Sequence, residues 1–496
     1  MLARVADPER WRAWSRQVAH AGHCQRPVRV AGRAMAVDAA TGVVGAEWTS
    51  EGAPDGTLLL ACGDRRSSVC PACSETYRRD TWQLVAAGLR GRAPHLPDGA
   101  DAVPVVVAEH PAALVTLTAP SFGAVHRVTA GEEVCRARVG PPVCKHGLRR
   151  WCAARHVPGD RLVGRALCVE CYAYEDQVLF NAMVPELWRR TLIYTYRALA
   201  RVAGERVGMP ITVRAVRGLV RLSYVKVMEF QSRGAAHVHA VVRLDGVVGG
   251  ERSAVVAPPS WADAAALEWA VREAAAKVRV PVPIEGKWAV RWGPQMDVAT
   301  ISDPGRTAAY LAKYATKSAG DTFAGLPVRR FGAREVGRVL RKLDNPHLGL
   351  LVLACFRLSR REGAGALRLV ENVHSLGYRG HFVTKSRWYS VTRRTLGEVR
   401  RAWRVRGRPE DPWVAASGDP GTVLVAAWRY VGSGWASLGD AVLAETLARD
   451  HAAARANADL LTPWADPGGS GVGRARSAGQ GMRATGDFGD GVCGDG

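Results

Sequence analysis

Residues 222–246 read LSYVKVMEFQSRGAAHVHAVVRLDG, and the remaining motifs are ordered by how this stretch folds. Apolar and β-branched residues alternate on both sides of Ser232-Arg233-Gly234, a pattern that predicts a β-hairpin with those three residues as its turn. Residues two apart on a strand point to the same side, so His237 and His239 face together. A three-residue turn then places Glu229 opposite His237, with Cβ atoms about 5 Å apart. Two imidazoles and a carboxylate converge on one face, which is a donor set for a divalent metal with positions left open. The plain alternative is a pair of histidines satisfied on a half-buried sheet; a carboxylate at matching register favours the metal. The same donors serve zinc hydrolases and non-haem iron oxygenases, so the triad alone names no reaction.

A second stretch narrows the chemistry. In SDPGRTAAYLAKYATKSAG, residues 302–320, Asp303 reads as a helix N-cap, Pro304 as the first helical residue and Gly320 as the stop. Tyr310, Lys313, Tyr314 and Lys317 then recur at helical spacing along one stripe. A core-facing stripe would carry Leu, Ile and Val, whereas a surface helix would half-pack its tyrosines and solvate its lysines. The chemical alternative is a nucleophile stripe. A tyrosine hydroxyl titrates near pH 10, so it needs a neighbouring cation and a polarised electrophile. A metal-held phosphodiester supplies the electrophile, and lysines can stabilise the phenolate and the charge that develops at phosphorus.

Together with Leu114-Val115-Thr116-Leu117-Thr118 in ALVTLTAPSFGAVH, these motifs resemble the HUH endonucleases that initiate rolling-circle replication. The strongest resemblance is to the RepSA-type replication initiators of actinobacterial plasmids and integrative elements. It extends over nearly the whole chain through CGDRRSSVCPAC, LCVECYAY and SLGYRGHFVTKSRWYS. The tyrosine spacing is also similar to that of the gene A proteins of small single-stranded DNA phages. The resemblance implies an α+β fold, with a central antiparallel sheet flanked by helices and the first-motif strand beside the histidine strand. It further implies that Tyr310 or Tyr314 attacks a phosphodiester at the origin, leaving a 5′-phosphotyrosine and a 3′-hydroxyl primer. Lys313 and Lys317 would assist, the second tyrosine would cut at termination, and Glu229, His237 and His239 would hold Mg²⁺ or Mn²⁺. The implied partners are single-stranded or supercoiled origin DNA, a host DNA polymerase and a host helicase, since the chain has no GxxxxGK[ST] phosphate loop of its own. Two rivals are a two-tyrosine HUH transposase acting on element ends and a non-catalytic zinc protein that binds DNA. A conjugative relaxase fits less well, because there the tyrosine usually precedes a three-histidine cluster.

Eleven cysteines fall mainly into two clusters. Cys62, Cys70 and Cys73, with Cys24 as a fourth member, suit structural Zn²⁺ better than a redox dithiol, which lacks extra cysteines nearby. The second cluster offers Cys144, His146, Cys152, His156, Cys168 and Cys171 for a four-coordinate ion. Cys168 and Cys171 are its firm half and Cys144 with Cys152 the chosen remainder, with His146 or His156 able to replace either. Cys135, Cys355 and Cys493 show no partner spacing and read as ordinary residues.

At 496 residues, the chain is too long for a single ordinary core, and two to four domains are expected. Its 68 Lys+Arg against 46 Asp+Glu give a net charge of +22, which points to a polyanionic partner, though an Arg-rich codon bias produces the same excess. Residues 321–410 hold 20 Lys/Arg against 7 Asp/Glu, more than half of that excess. There Arg379, Lys385, Arg387 and Tyr389 are the candidate DNA contacts, phosphate by charge and base by stacking. The expected organisation is an N-terminal zinc region (1–104), the first core strand (105–130), a zinc insert (131–204), the catalytic core (205–320), a basic region (321–462) and a disordered tail (463–496). Residues 251–278 and 420–460 read as helical. MLARVADPERWRAW lacks the apolar stretch of a secretory signal, and LGLLVLACF at 348–356 is far below the roughly 20 residues of a membrane span. A cytoplasmic protein without membrane partners is expected.

Overall fold

A computed structural model describes residues 2–91, 103–249, 251–286, 288–317, 323, 325–327, 329–405 and 421–461. The fold is α+β, and its described residues divide into two units, one within 2–77 with 397–461 and the other within 78–396. The expected tail lies outside the described residues. Among these, no helix is long and apolar enough to cross a membrane.

The first unit is built on a small antiparallel sheet. Strand Val28–Asp38 pairs with Val44–Thr49, with Leu58–Leu60 and, along its full length, with Thr422–Ser433. The segment around residue 425 was expected to be helical. Its sequence TVLVAAWRYVGS is rich in β-branched and aromatic residues, and it forms a strand; the helix begins only at Leu438. Gly32, at φ 154°, sits so close to its partner that a Cβ would lie 1.9 Å from the Ala427 carbonyl oxygen, so this crossing requires glycine.

The second unit carries the larger sheet. Its strand order is Met296–Thr300, Ala112–Leu117, Ala236–Val248, Val220–Phe230 and Val383–Lys385, and Glu251–Val256 also pairs with the histidine strand; every pairing is antiparallel. Residues 251–256 are therefore strand, with the expected helix confined to Ala264–Lys277. One sheet face is apolar: Ala113, Val115 and Leu117 lie beside Val238, Ala240 and Val242 in the core that the long helix Tyr174–Val207 also enters. The alternate residues of the same strands turn the other way. That face carries Glu229, His237 and His239 and, further along, the buried Arg243 and Asp245, which hydrogen-bond each other at 2.6 Å while His110 meets Asp245 at 2.8 Å.

Candidate functional site

The hairpin forms as its sequence predicts. Gln231 N–H donates to the Ala235 carbonyl, Gly234 occupies the left-handed region at φ 82°, and Glu229 pairs directly with His237. Gly234 meets the positive-φ demand of the turn at no steric cost. On the other flank of the histidine strand, Thr116 pairs with His239 and Asp297 with Thr116, so two further polar side chains join the same face.

Ligand-type atoms of Glu229, His237 and His239 lie within 4.8 Å of one another. The His239 ring is oriented from behind, with Nδ1 3.2 Å from the Thr116 hydroxyl and 3.4 Å from the Tyr310 hydroxyl. Its Nε2 faces Glu229 Oε1 at 3.5 Å. Glu229 Oε2, His237 Nδ1 and His239 Nε2 are all buried without a hydrogen-bond partner. Buried ring nitrogens left so are costly in a finished interior, and two of them beside a carboxylate whose other neighbour is an ammonium, Lys317 Nζ at 3.5 Å from Oε2, fit a cation. Desolvation, helped by the His239 ring and the Arg233 guanidinium, pushes His237 down to about 3. It is therefore neutral at physiological pH, the form that ligates.

The tyrosine helix, Pro304–Ala315, starts as expected, with the Asp303 carboxylate accepting from the Gly305 and Arg306 amides. It ends at Ala315, before Lys317, and the stop expected at Gly320 lies outside the described residues. Ala308, Leu311, Ala312 and Ala315 are buried, which seats the helix and brings both tyrosines against His239. The Tyr314 ring stacks on His239 at 4.7 Å, Tyr310 meets His239 edge-on at 5.1 Å, and the two phenols lie 4.8 Å apart. Lys317 Nζ sits 4.7 Å from the Tyr314 ring and 3.5 Å from Glu229 Oε2; Lys313 is further out, 5.9 Å from the same ring. Burial raises the Tyr310 hydroxyl, with Tyr314, Glu229 and Asp297 adding to it, and burial with Glu229 raises Tyr314. Both phenols are protonated at rest.

The first cysteine cluster comes together as expected: Cys24, Cys62, Cys70 and Cys73 converge, with sulfur separations of 3.7 Å for Cys62–Cys73 and for Cys24–Cys70. The second needs correction. Cys144, Cys168 and Cys171 do meet, but their fourth partner is His146; Cys152 lies instead with His126, Cys135 and His156. Cys135, read as an ordinary residue, is thus part of a group. Tyr389 is also reassigned. Its side chain is fully buried, its hydroxyl donates to the Val85 carbonyl, and its ring fills the space where Gly88 has no Cβ, so it cannot stack on a base. Arg379 and Arg387 are exposed, Arg387 lying over the Trp388 ring, and Lys385 is partly buried at the sheet edge.

The sequence alone gives no individual role to Thr116 or Asp297. Thr116 stands on the strand beside the histidine strand and Asp297 on the next one out, and the visible signal was the alternation of Thr116 and Thr118 in LVTLT.

Residues 10–449 match the family model described as "RepSA: Replication initiator protein, pSAM2". A curated replication initiator protein from Streptomyces ambofaciens is 37% identical over 468 residues, covering 90% of this chain and 92% of its own length. No solved structure matches. With a family match over most of its length and a relative of this identity, the chain belongs to the RepSA family of replication initiator proteins.

Proposed function

We propose that this initiator nicks and rejoins one strand of its replication origin through a covalent 5′-phosphotyrosine intermediate, as a metal-dependent HUH endonuclease of the rolling-circle type. The observation that carries the reading is the meeting, on one sheet face, of the Glu229, His237 and His239 ligand atoms within 4.8 Å of one another, two of their ring nitrogens without a hydrogen bond, with two tyrosines in ring contact with His239. Glu229, His237 and His239 would hold Mg²⁺ or Mn²⁺, which supplies Lewis-acid polarisation of the scissile phosphate. The protein's own residues do the rest. Thr116 and the Tyr310 hydroxyl hold His239 by Nδ1, keeping Nε2 turned toward Glu229. A tyrosine Oη gives up its proton to solvent and attacks phosphorus, the bond to the 3′ oxygen breaks, and that oxygen takes up a proton from solvent and leaves as the 3′-hydroxyl. Lys317 and Lys313 lie beside the Tyr314 ring, where an ammonium favours the phenolate. The second tyrosine can act in a later transfer while the first is still esterified.

Origin DNA, single-stranded or supercoiled, would be held in part by Arg379, Lys385 and Arg387, with a host helicase and polymerase extending the 3′ end. Zn²⁺ at Cys24, Cys62, Cys70 and Cys73 would act as a structural staple of the first unit. The test is relaxation of supercoiled origin plasmid with Mn²⁺ by the wild type and by the Tyr310→Phe/Tyr314→Phe variant. Nicking by the wild type alone is expected. Equal nicking by both would reject the tyrosine mechanism, and DNA binding without nicking by either would favour a non-catalytic initiator.

A further inference from the structure

Residues 123–171 lack a hydrophobic core of their own. The buried residues in this span are Cys135, His156, Gly164 and Cys168, and three of the four are metal-ligand types. Strand pairing is limited to three isolated bridges, Val125–Ala166, Arg136–Cys152 and Val143–Arg149. A segment this poor in apolar burial needs staples to hold one conformation.

We infer that this insert is an interleaved two-zinc module. His126, Cys135, Cys152 and His156 hold one ion, and Cys144, His146, Cys168 and Cys171 hold the other. Standard Zn–S and Zn–N bond lengths place tetrahedral ligands about 3.8 Å apart for two sulfurs, about 3.5 Å for sulfur and nitrogen, and about 3.3 Å for two nitrogens. In the first group, His126 Nδ1 lies 3.1 Å from His156 Nε2, Cys135 Sγ 3.7 Å from His126 Nδ1, and Cys152 Sγ 3.6 Å from His156 Nε2. In the second, His146 Nδ1 lies 3.3, 3.5 and 4.0 Å from the sulfurs of Cys171, Cys168 and Cys144. Five of these six separations lie within about 0.2 Å of the tetrahedral edges, and the Cys144–His146 edge is the long one at 4.0 Å.

The outer nitrogens support the same assignment. His156 turns Nδ1 to Asp160 Oδ2 at 2.7 Å, and His146 turns Nε2 to Glu170 Oε2 at 3.3 Å. A carboxylate on the far nitrogen fixes the ring and raises its basicity, the usual arrangement behind a ligating histidine. A merely hydrogen-bonded thiol–imidazole cluster requires no such backing, and here it occurs twice.

Along the chain the ligand pairs alternate between the ions: His126/Cys135, then Cys144/His146, then Cys152/His156, then Cys168/Cys171. Each ion closes a loop that contains a ligand pair of the other, so the two sites order the same backbone. Binding takes up thiolates and neutral imidazoles and releases the thiol protons. The ordered stretch matters to the hairpin. Gly164, at φ 86°, lies between the third and fourth pairs, and a Cβ there would stand 2.3 Å from the Ser232 carbonyl oxygen. The module therefore abuts the turn that joins Glu229 to His237.

The test is the zinc content of the full chain, purified without chelator and carrying His237→Ala and His239→Ala so that the sheet triad holds no ion. Three zinc per chain are expected, at most two after Cys135→Ser, and still three after Cys355→Ser. Two in the parent, or no loss with Cys135→Ser, would overturn the proposal. Zinc X-ray absorption on the parent does not depend on a cysteine variant folding. Nine thiolates and three imidazoles across the three groups predict one nitrogen for every three sulfurs, whereas an all-sulfur shell would contradict the module.

Discussion

The Glu229–His237–His239 triad on the sheet and the cysteine–histidine groups of the insert use overlapping donor types in opposite ways. The insert groups each bring four donors within 4.8 Å of one another and each have a carboxylate behind a histidine. The sheet triad has three donors, buried ring nitrogens left without hydrogen bonds, and two phenols against it, Tyr314 stacked on His239 and Tyr310 edge-on. A closed set organises a backbone that has no core, while an open set on a rigid strand pair leaves room for a substrate oxygen. Donor number and what packs against the donors, more than donor identity, separate a staple from a candidate catalytic centre.

The comparison breaks most sharply under mutation of the open site. Tyr310→Phe/Tyr314→Phe is expected to lower origin nicking by at least about a thousandfold with zinc content and melting temperature unchanged, measured by plasmid relaxation and calorimetry. A melting temperature that falls with the activity would make the tyrosines structural. Chelation should separate the two regions next. A brief EDTA wash, with Mg²⁺ or Mn²⁺ restored afterwards, should remove and return activity without altering the circular dichroism. Extended treatment with a strong zinc chelator should instead raise proteolysis within residues 123–171, because the unstapled segment has no core. Matching dose dependence for both effects would erase the distinction.

A smaller effect is expected behind His239. Thr116→Val removes a hydroxyl 3.2 Å from Nδ1 and should weaken Mn²⁺ binding by about 10- to 100-fold, read by calorimetric titration; unchanged affinity would show that Tyr310 alone orients the ring. The smallest concerns pH. Burial, with the Arg233 guanidinium, pushes His347 down to about 4 against the opposing hydrogen bond to the Arg233 carbonyl, which it meets at 3.1 Å. The unfolded chain therefore binds this proton first. The stability linked to it is present above pH 6.5 and is lost as pH falls toward 4. At pH 5 the loss is about 2 kcal/mol, so His347→Gln should flatten the stability–pH curve of urea unfolding by about that amount between pH 7 and 5.

The hairpin was legible because its turn chemistry and alternation fix a register, and register carries the position of every side chain with it. The Asp303 cap was equally local. What escaped depends on distant contacts. Cys135 lies well outside a Cys-x-x-Cys knuckle and joins Cys152 only because the ligand pairs interleave; the Cys152-x-x-x-His156 spacing was the available hint. Tyr389 sits among basic residues, and nothing local says that Gly88 leaves room for its ring. The strand Thr422–Ser433 pairs with Val28–Asp38, nearly four hundred residues earlier, and its neighbouring Ala-rich helix masked it.

The central claim is a covalent bond between tyrosine and DNA. Single-stranded origin oligonucleotide labelled on the 3′ side of the nick would be incubated with protein and Mn²⁺, denatured, digested with trypsin and sequenced by mass spectrometry. The account predicts a nucleotide adduct on Tyr310 or Tyr314, absent when both are phenylalanine. A labelled product with no adduct, or an adduct on any other residue, would contradict it.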